Sequence, residues 1–198
     1  MELKETGNVP AAALPVAALR DHLRLASGFA DDTTQDVALE GFLRSAIATI
    51  EGRVSRALLM RGFALRLARW RDGCAQPLPL APVQAITAVT LIDRDGVASV
   101  VDPARWRLER DGQRPQLVST AVLLPTIPTG GAVEIAFEAG FGPDWADLPA
   151  DLAQAVLLLA AAYYEHRSAD ALDITLTAGV RALLARWQPV RLMLGERP

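Results

Sequence analysis

The chain has 198 residues and a mass of 21.2 kDa, with 51% hydrophobic and 22% charged residues, a balance that suits one globular core rather than a disordered chain. Its net charge of −3 and pI near 5.4 argue against a surface built mainly to grip nucleic acid phosphates. One cysteine, Cys74, rules out an internal disulfide, and with only His22 and His166 beside it the common dense metal clusters are excluded.

Lys4 is the one lysine against 19 arginines, a bias that a GC-rich genome or an arginine-based protein interface would both produce. A mean hydropathy of +0.20 is high for a free monomer and points to apolar surface covered by other subunits. The uncharged apolar stretch with helical spacing, within residues 152–164, is short of the roughly 20 residues a membrane helix needs. The start MELKETGNVP lacks the basic flank and apolar core of a secretory signal, so a reducing cytosol is the expected place of synthesis.

In chain order, Pro15 opens a helical stretch to about Ala26 with Val16, Leu19 and Leu23 on one face. Residues 34–59 place Leu39, Leu43, Ile47, Ile50, Val54 and Leu58 at steps of three and four, with Asp32 or Thr34 as cap. Alternation then takes over from Phe63 to Trp70, and Pro77, Pro79 and Pro82 impose an extended connector. Residues 86–92, the turn Asp93-Arg94-Asp95-Gly96 and residues 97–101 form a hairpin signal. Further short strands are expected at 106–109, 116–118, 122–124 and 133–137.

Gly140 and Gly142 around Phe141 permit a sharp corner before a helix from Pro149 to about His166, whose Leu152, Ala155, Val156, Leu159 and Tyr163 share one face. A last helix runs near residues 178–187 and Pro189 ends it. The order predicts an α+β fold in a single domain, 1–198. A bundle of about four helices, approximately residues 14–60 and 148–188, receives an inserted small antiparallel β-sheet at approximately 62–140, and residues 189–198 form a C-terminal tail.

Little in the chain carries chemistry. Glu165 and His166 are adjacent on a helix and point about 100° apart, so they do not share a substrate. The glycines of AGFG lack the G-x-G-x-x-G spacing, no phosphate-binding loop occurs, and Ser45 and Ser55 lie in a helix without a nucleophile elbow. Asp31 and Asp32 read as a helix cap. No catalytic residue, cofactor site or metal site is therefore assigned. Arg53, Arg56, Arg61, Arg66, Arg69 and Arg71 with Trp70 form the basic cluster of the chain, interleaved with Glu51 and Asp72. Arginine with tryptophan is the composition of a protein interface, so Arg53, Arg56, Arg66, Arg69 and Trp70 are assigned to subunit contact. A DNA-binding module on the segment Arg53–Arg71 is the alternative, and a small enzyme is a weaker one. The tail keeps Val190, Leu192, Met193 and Leu194 after the helix has stopped, and either folds back or inserts into a partner.

Several of these segments, in this order, resemble the head-to-tail connector family of long-tailed phages, also called adaptor or head-completion proteins, including the versions of gene transfer agents. The resemblance is carried by Leu14-Pro15-Val16 through His22-Leu23-Arg24, Ala46-Ile47-Ala48-Thr49-Ile50-Glu51 and Arg56-Ala57-Leu58. It continues through Leu78-Pro79-Leu80-Ala81-Pro82-Val83, Ile92-Asp93-Arg94-Asp95-Gly96 and Phe137-Glu138-Ala139-Gly140-Phe141-Gly142. Leu148-Pro149-Ala150-Asp151-Leu152 and Tyr163-Tyr164-Glu165-His166-Arg167 complete it, while Asp173-Ile174-Thr175-Leu176-Thr177 departs from the usual polar and small residues before the last helix.

The resemblance implies a structural role at the head-tail interface of a virion or gene transfer particle. About a dozen copies would form a ring with heterologous contacts that extends the DNA channel. Its partners would be itself, the portal protein and the next tail or stopper protein, with DNA passing through unread and no membrane involved. Trp187, Val190, Arg191, Leu192, Met193 and Leu194 are the expected portal contacts.

Overall fold

The computed structural model of the chain describes residues 1–25, 32–166 and 176–188. It divides into two compact units: Met1–Pro15 with Arg56–Pro149, and Val16–Ser55 with Ala150–Pro198.

The helical unit contains α1 (Val16–His22), α2 (Asp32–Val54), α3 (Ala150–Glu165) and α4 (Ala178–Leu184), the last continuing as a 3-10 turn, Ala185–Trp187. The steps of three and four in α2 bury Leu39, Leu43, Ile47, Ile50 and Val54, and those in α3 bury Leu152, Ala155, Val156 and Leu159. α2 packs on α3, α3 on α4, and α1 on both α2 and α3. Each fully buried Leu or Ile contributes about 1.5–3 kcal/mol relative to exposure. Thr49 Oγ1 and Tyr163 OH lie 3.0 Å apart between α2 and α3, Phe42 meets Tyr164 edge to face at 5.9 Å, and Arg20 Nε pairs with Asp36 Oδ1 at 2.8 Å across α1 and α2.

Two of these helices stop earlier than their apolar periodicity predicts. α1 ends at His22 because Arg24 takes a left-handed φ of 53°, and α2 ends at Val54 because Ser55 does the same; a single such residue cannot continue a right-handed helix. Leu58, read as helical from its spacing, therefore lies beyond the helix at a bend, where its carbonyl accepts from Phe141 N–H at 3.0 Å.

In the sheet unit the strands are antiparallel, as expected, but they form two sheets rather than one. β1 (Glu2–Glu5), β2 (Arg61–Leu67), β8 (Ala132–Ala139), β4 (Val83–Ile92) and β5 (Ala98–Val100) make a five-stranded sheet in that order. β3 (Ala75–Pro77), β7 (Gln116–Ser119) and β6 (Trp106–Glu109) make the second. The register aligns Phe63 with Phe137 and Ile86, Leu65 with Ile135 and Val89, and Leu67 with Val133 and Leu91, so period-two alternation puts three apolar rows on one face. Leu117 of β7 is buried in the same core, with Trp106 and Leu108 of β6 packed against it, and Phe63 stacks on Phe137 at 5.7 Å.

β1 and β3 are absent from the sequence expectation. β1 is four exposed residues, Glu-Leu-Lys-Glu, held by pairing with β2 and by the Glu5 carboxylate on Arg61 Nε at 2.7 Å. β3 lies in the connector that the prolines mark only as extended. Conversely, the strand expected at 122–124 is a loop: Val122 is 84% and Leu123 57% exposed, and the Leu124 N–H bonds Gly73 O at 2.7 Å instead of a strand neighbour.

Candidate assembly surfaces

The glycine corner stitches the sheet unit internally. Gly140 N–H donates to Pro82 O, Gln84 Nε2 donates to Gly140 O, Phe141 N–H to Leu58 O and Met60 N–H to Gly142 O, all between 2.8 and 3.0 Å. Gly140 has a φ of 137°, and a Cβ there would collide with the backbone of Met60. At Gly142 a Cβ would strike the Asp147 carboxylate, which accepts from Asp144 N–H at 3.0 Å and fixes the turn Trp145–Asp147 that precedes α3. The corner's backbone groups are thus engaged in holding the chain, not in cradling a phosphate.

The arginines of the basic cluster differ in burial. Arg53 is exposed at the end of α2 in the helical unit, whereas Arg56, Arg66, Arg69 and Trp70 belong to the sheet unit. Arg56 is only 7% exposed; its Nη1 donates to Gly112 O at 2.6 Å. Burial lowers the Arg56 pKa from its usual value, partly offset by the nearby Asp111 carboxylate. The Asp111 carboxyl is itself held below the ordinary carboxylate value, chiefly by the N–H groups of Gln113 and Arg114, with the Arg114 and Arg56 charges adding to it. Assigned to subunit contact on sequence grounds, Arg56 thus works inside its own unit, tying the start of the sheet region to the 111–114 loop.

Trp70 is half-buried, with its indole N–H donating to Pro125 O at 2.7 Å, so its ring edge is fastened rather than offered to a nucleobase. Arg66 and Arg69 are exposed. Arg66 lies on the outer face of the five-stranded sheet, in register with Glu2 on β1 and Glu134 on β8, a row of alternating charge that a basic nucleic-acid face would not contain. A hollow of about 440 Å³ at the end of β2 is lined by Met1, Leu67, Arg69, Trp70, Arg71 and Leu78 among others. The amide of Gln76 in its wall accepts from Arg71 N–H and donates to Pro77 O.

In the helical unit Trp187 is half-buried. Its Nε1 donates to Asp151 Oδ2 at 2.7 Å, Arg186 Nε meets the same carboxylate at 2.7 Å, and the Arg186 guanidinium lies 4.6 Å from the Trp187 ring centre. Sequence reasoning singled out Trp187 but missed Asp151, whose position in the first turn of α3 suggests only a favourable helix-dipole charge. Val190, Arg191, Leu192, Met193 and Leu194 lie outside the described residues. Glu165 and His166 are both exposed. Among the described residues no group of three His, Cys, Asp or Glu could hold a metal ion, and no helix is long and apolar enough to cross a membrane.

No family model and no curated protein matches the chain. Solved structures do, each over 100% of this chain and 100% of the other. A chain in the neck of an empty gene transfer agent particle, computed with C6 symmetry, is 54% identical with a TM-score of 0.90. One in the neck of the native particle, computed with C12 symmetry, is 50% identical with a TM-score of 0.85. A third, in the virion of the native gene transfer agent particle, is 54% identical with a TM-score of 0.86.

Proposed function

The chain belongs to the family of neck proteins of gene transfer agent particles, and on that premise we propose how it joins head to tail. It is a structural head-to-tail connector that acts as part of a homo-oligomeric ring in the particle neck. The observation that carries this is likeness over the whole of both chains at 54% identity and a TM-score of 0.90, far above what a shared fold alone requires. A structural role also fits a chain whose Gly140–Gly142 corner, Arg56 and Asp147 are engaged in holding backbone.

The finer reading is that about twelve copies form the ring by heterologous contacts, with Arg53, Arg66, Arg69 and Trp70 near the contacting faces. The segment from Trp187 through Val190, Arg191, Leu192, Met193 and Leu194 docks on the portal protein, and parts of the β region contact neighbouring copies or the next tail or stopper protein. DNA passes through the channel without being read. A net charge of −3 per copy repeated around a channel disfavours tight phosphate contact and keeps the duplex sliding. The burial of Arg56 and the pairing of Arg66 with Glu2 and Glu134 favour this over a DNA-binding module.

Truncation tests the portal contact. Cells making the chain without residues 190–198 are expected to release filled heads without tails, counted by electron microscopy. Tailed particles at the undiminished yield would remove the C-terminal segment from the reading.

A further inference from the structure

We infer that Asp151 is the positioning residue for the C-terminal segment: it clamps Arg186 and Trp187 to the start of α3 and so fixes the base of the segment that follows. The inference rests on the reading that the segment after Trp187 docks on the portal, and it adds a residue that has no place in that segment.

The geometry is a two-pronged hold on one carboxylate. Asp151 Oδ2 accepts from Trp187 Nε1 at 2.7 Å and from Arg186 Nε at 2.7 Å, while Oδ1 lies 3.3 Å from Arg186 Nη2. The carboxylate is 20% exposed, whereas Arg186 is 68% exposed, so the buried partner is the fixed one and the mobile cation is drawn to it. The guanidinium also covers the indole face at 4.6 Å, an arrangement that holds both side chains in one conformation. Thr177 caps α4 through Val180 N–H, and Val180 and Leu184 are buried, so the short helix and its 3-10 extension arrive at Asp151 as a supported element.

Val190 follows Trp187 by three residues, at most about 11 Å of chain. A clamp at Trp187 therefore confines the apolar cluster of the tail to a small volume before it meets its partner. Confinement of this kind improves affinity by lowering the ordering cost of docking rather than by adding contacts.

The test measures binding of the full-length protein to purified portal rings for the unaltered chain, Asp151→Asn, Trp187→Phe and the truncation lacking 190–198. Circular dichroism and melting report whether each variant folds. Asp151→Asn is expected to bind about tenfold more weakly while remaining folded, as loss of a charged hydrogen-bond acceptor predicts. Trp187→Phe keeps the ring and loses only the N–H, and is expected to weaken binding about threefold. Binding of both variants at the unaltered affinity, with the truncation unable to bind, overturns the clamp and leaves the docking segment standing. Undiminished binding by the truncation overturns the docking segment and the clamp with it.

Discussion

Gly140→Ala is expected to lower the stability of the sheet unit by about 3–5 kcal/mol, the sum of left-handed backbone strain and a collision that nothing can relieve. The atoms a methyl group would meet are the backbone of Leu59 and Met60. They cannot swing aside, because Met60 N–H is bonded to Gly142 O and Phe141 N–H to Leu58 O. Gly96 supplies the internal comparison. It also has a positive φ, 84°, but a Cβ there has no neighbour within 4 Å, so Gly96→Ala should cost only about 1–2 kcal/mol. Denaturant unfolding of both variants checks the argument; equal losses would mean that the φ alone, and not the packed corner, sets the cost. Because whole domains are stable by only about 5–15 kcal/mol, the Gly140 variant should also accumulate poorly in cells.

Arg56→Ala is expected to cost about 2–4 kcal/mol, whereas Arg53→Ala should change stability by no more than about 0.5 kcal/mol. The two arginines stand three residues apart in one basic run, yet Arg56 is 7% exposed and donates to Gly112 O at 2.6 Å, while Arg53 is exposed. Truncating Arg56 removes the packing of its aliphatic stem and strands a carbonyl that had a charged donor. Arg56→Lys should recover little, since an ammonium lacks the planar fork and is more strongly hydrated. Melting curves for the three variants decide it: matching, small losses at both positions would place Arg56 on the surface with Arg53.

The contrast shows what the sequence can carry. The helices with clear steps of three and four, α2 and α3, and the alternating strands β2, β4 and β8 were legible because their cores are written in local periodicity. The C-terminal limit of α2 was not, because apolar spacing runs on through Leu58 and nothing in the letters marks the left-handed Ser55. β1 could not be found by pattern. Its Glu-Leu-Lys-Glu has no buried face, and it is a strand only because β2 offers a ladder and Arg61 a partner for Glu5. Val122, Leu123 and Leu124 are three apolar residues in a row, which suits a short strand, yet only Leu124 is buried and the backbone there is a loop.

The assembly surfaces divide in the same way. The family order of motifs was readable along the chain. Which arginines face outward was not, because burial of Arg56 depends on the 111–114 loop, more than fifty residues away in sequence. The Asp151 clamp was equally invisible: its partners lie 35 and 36 positions further along, and an acid in the first turn of a helix has an ordinary local explanation.

Electron microscopy of the particles released by cells that lack this chain tests whether it joins head to tail in the neck. DNA-filled heads and separate, unattached tails are expected, with gene transfer lost and restored by supplying the chain. Normal numbers of joined, transfer-competent particles in its absence would contradict it.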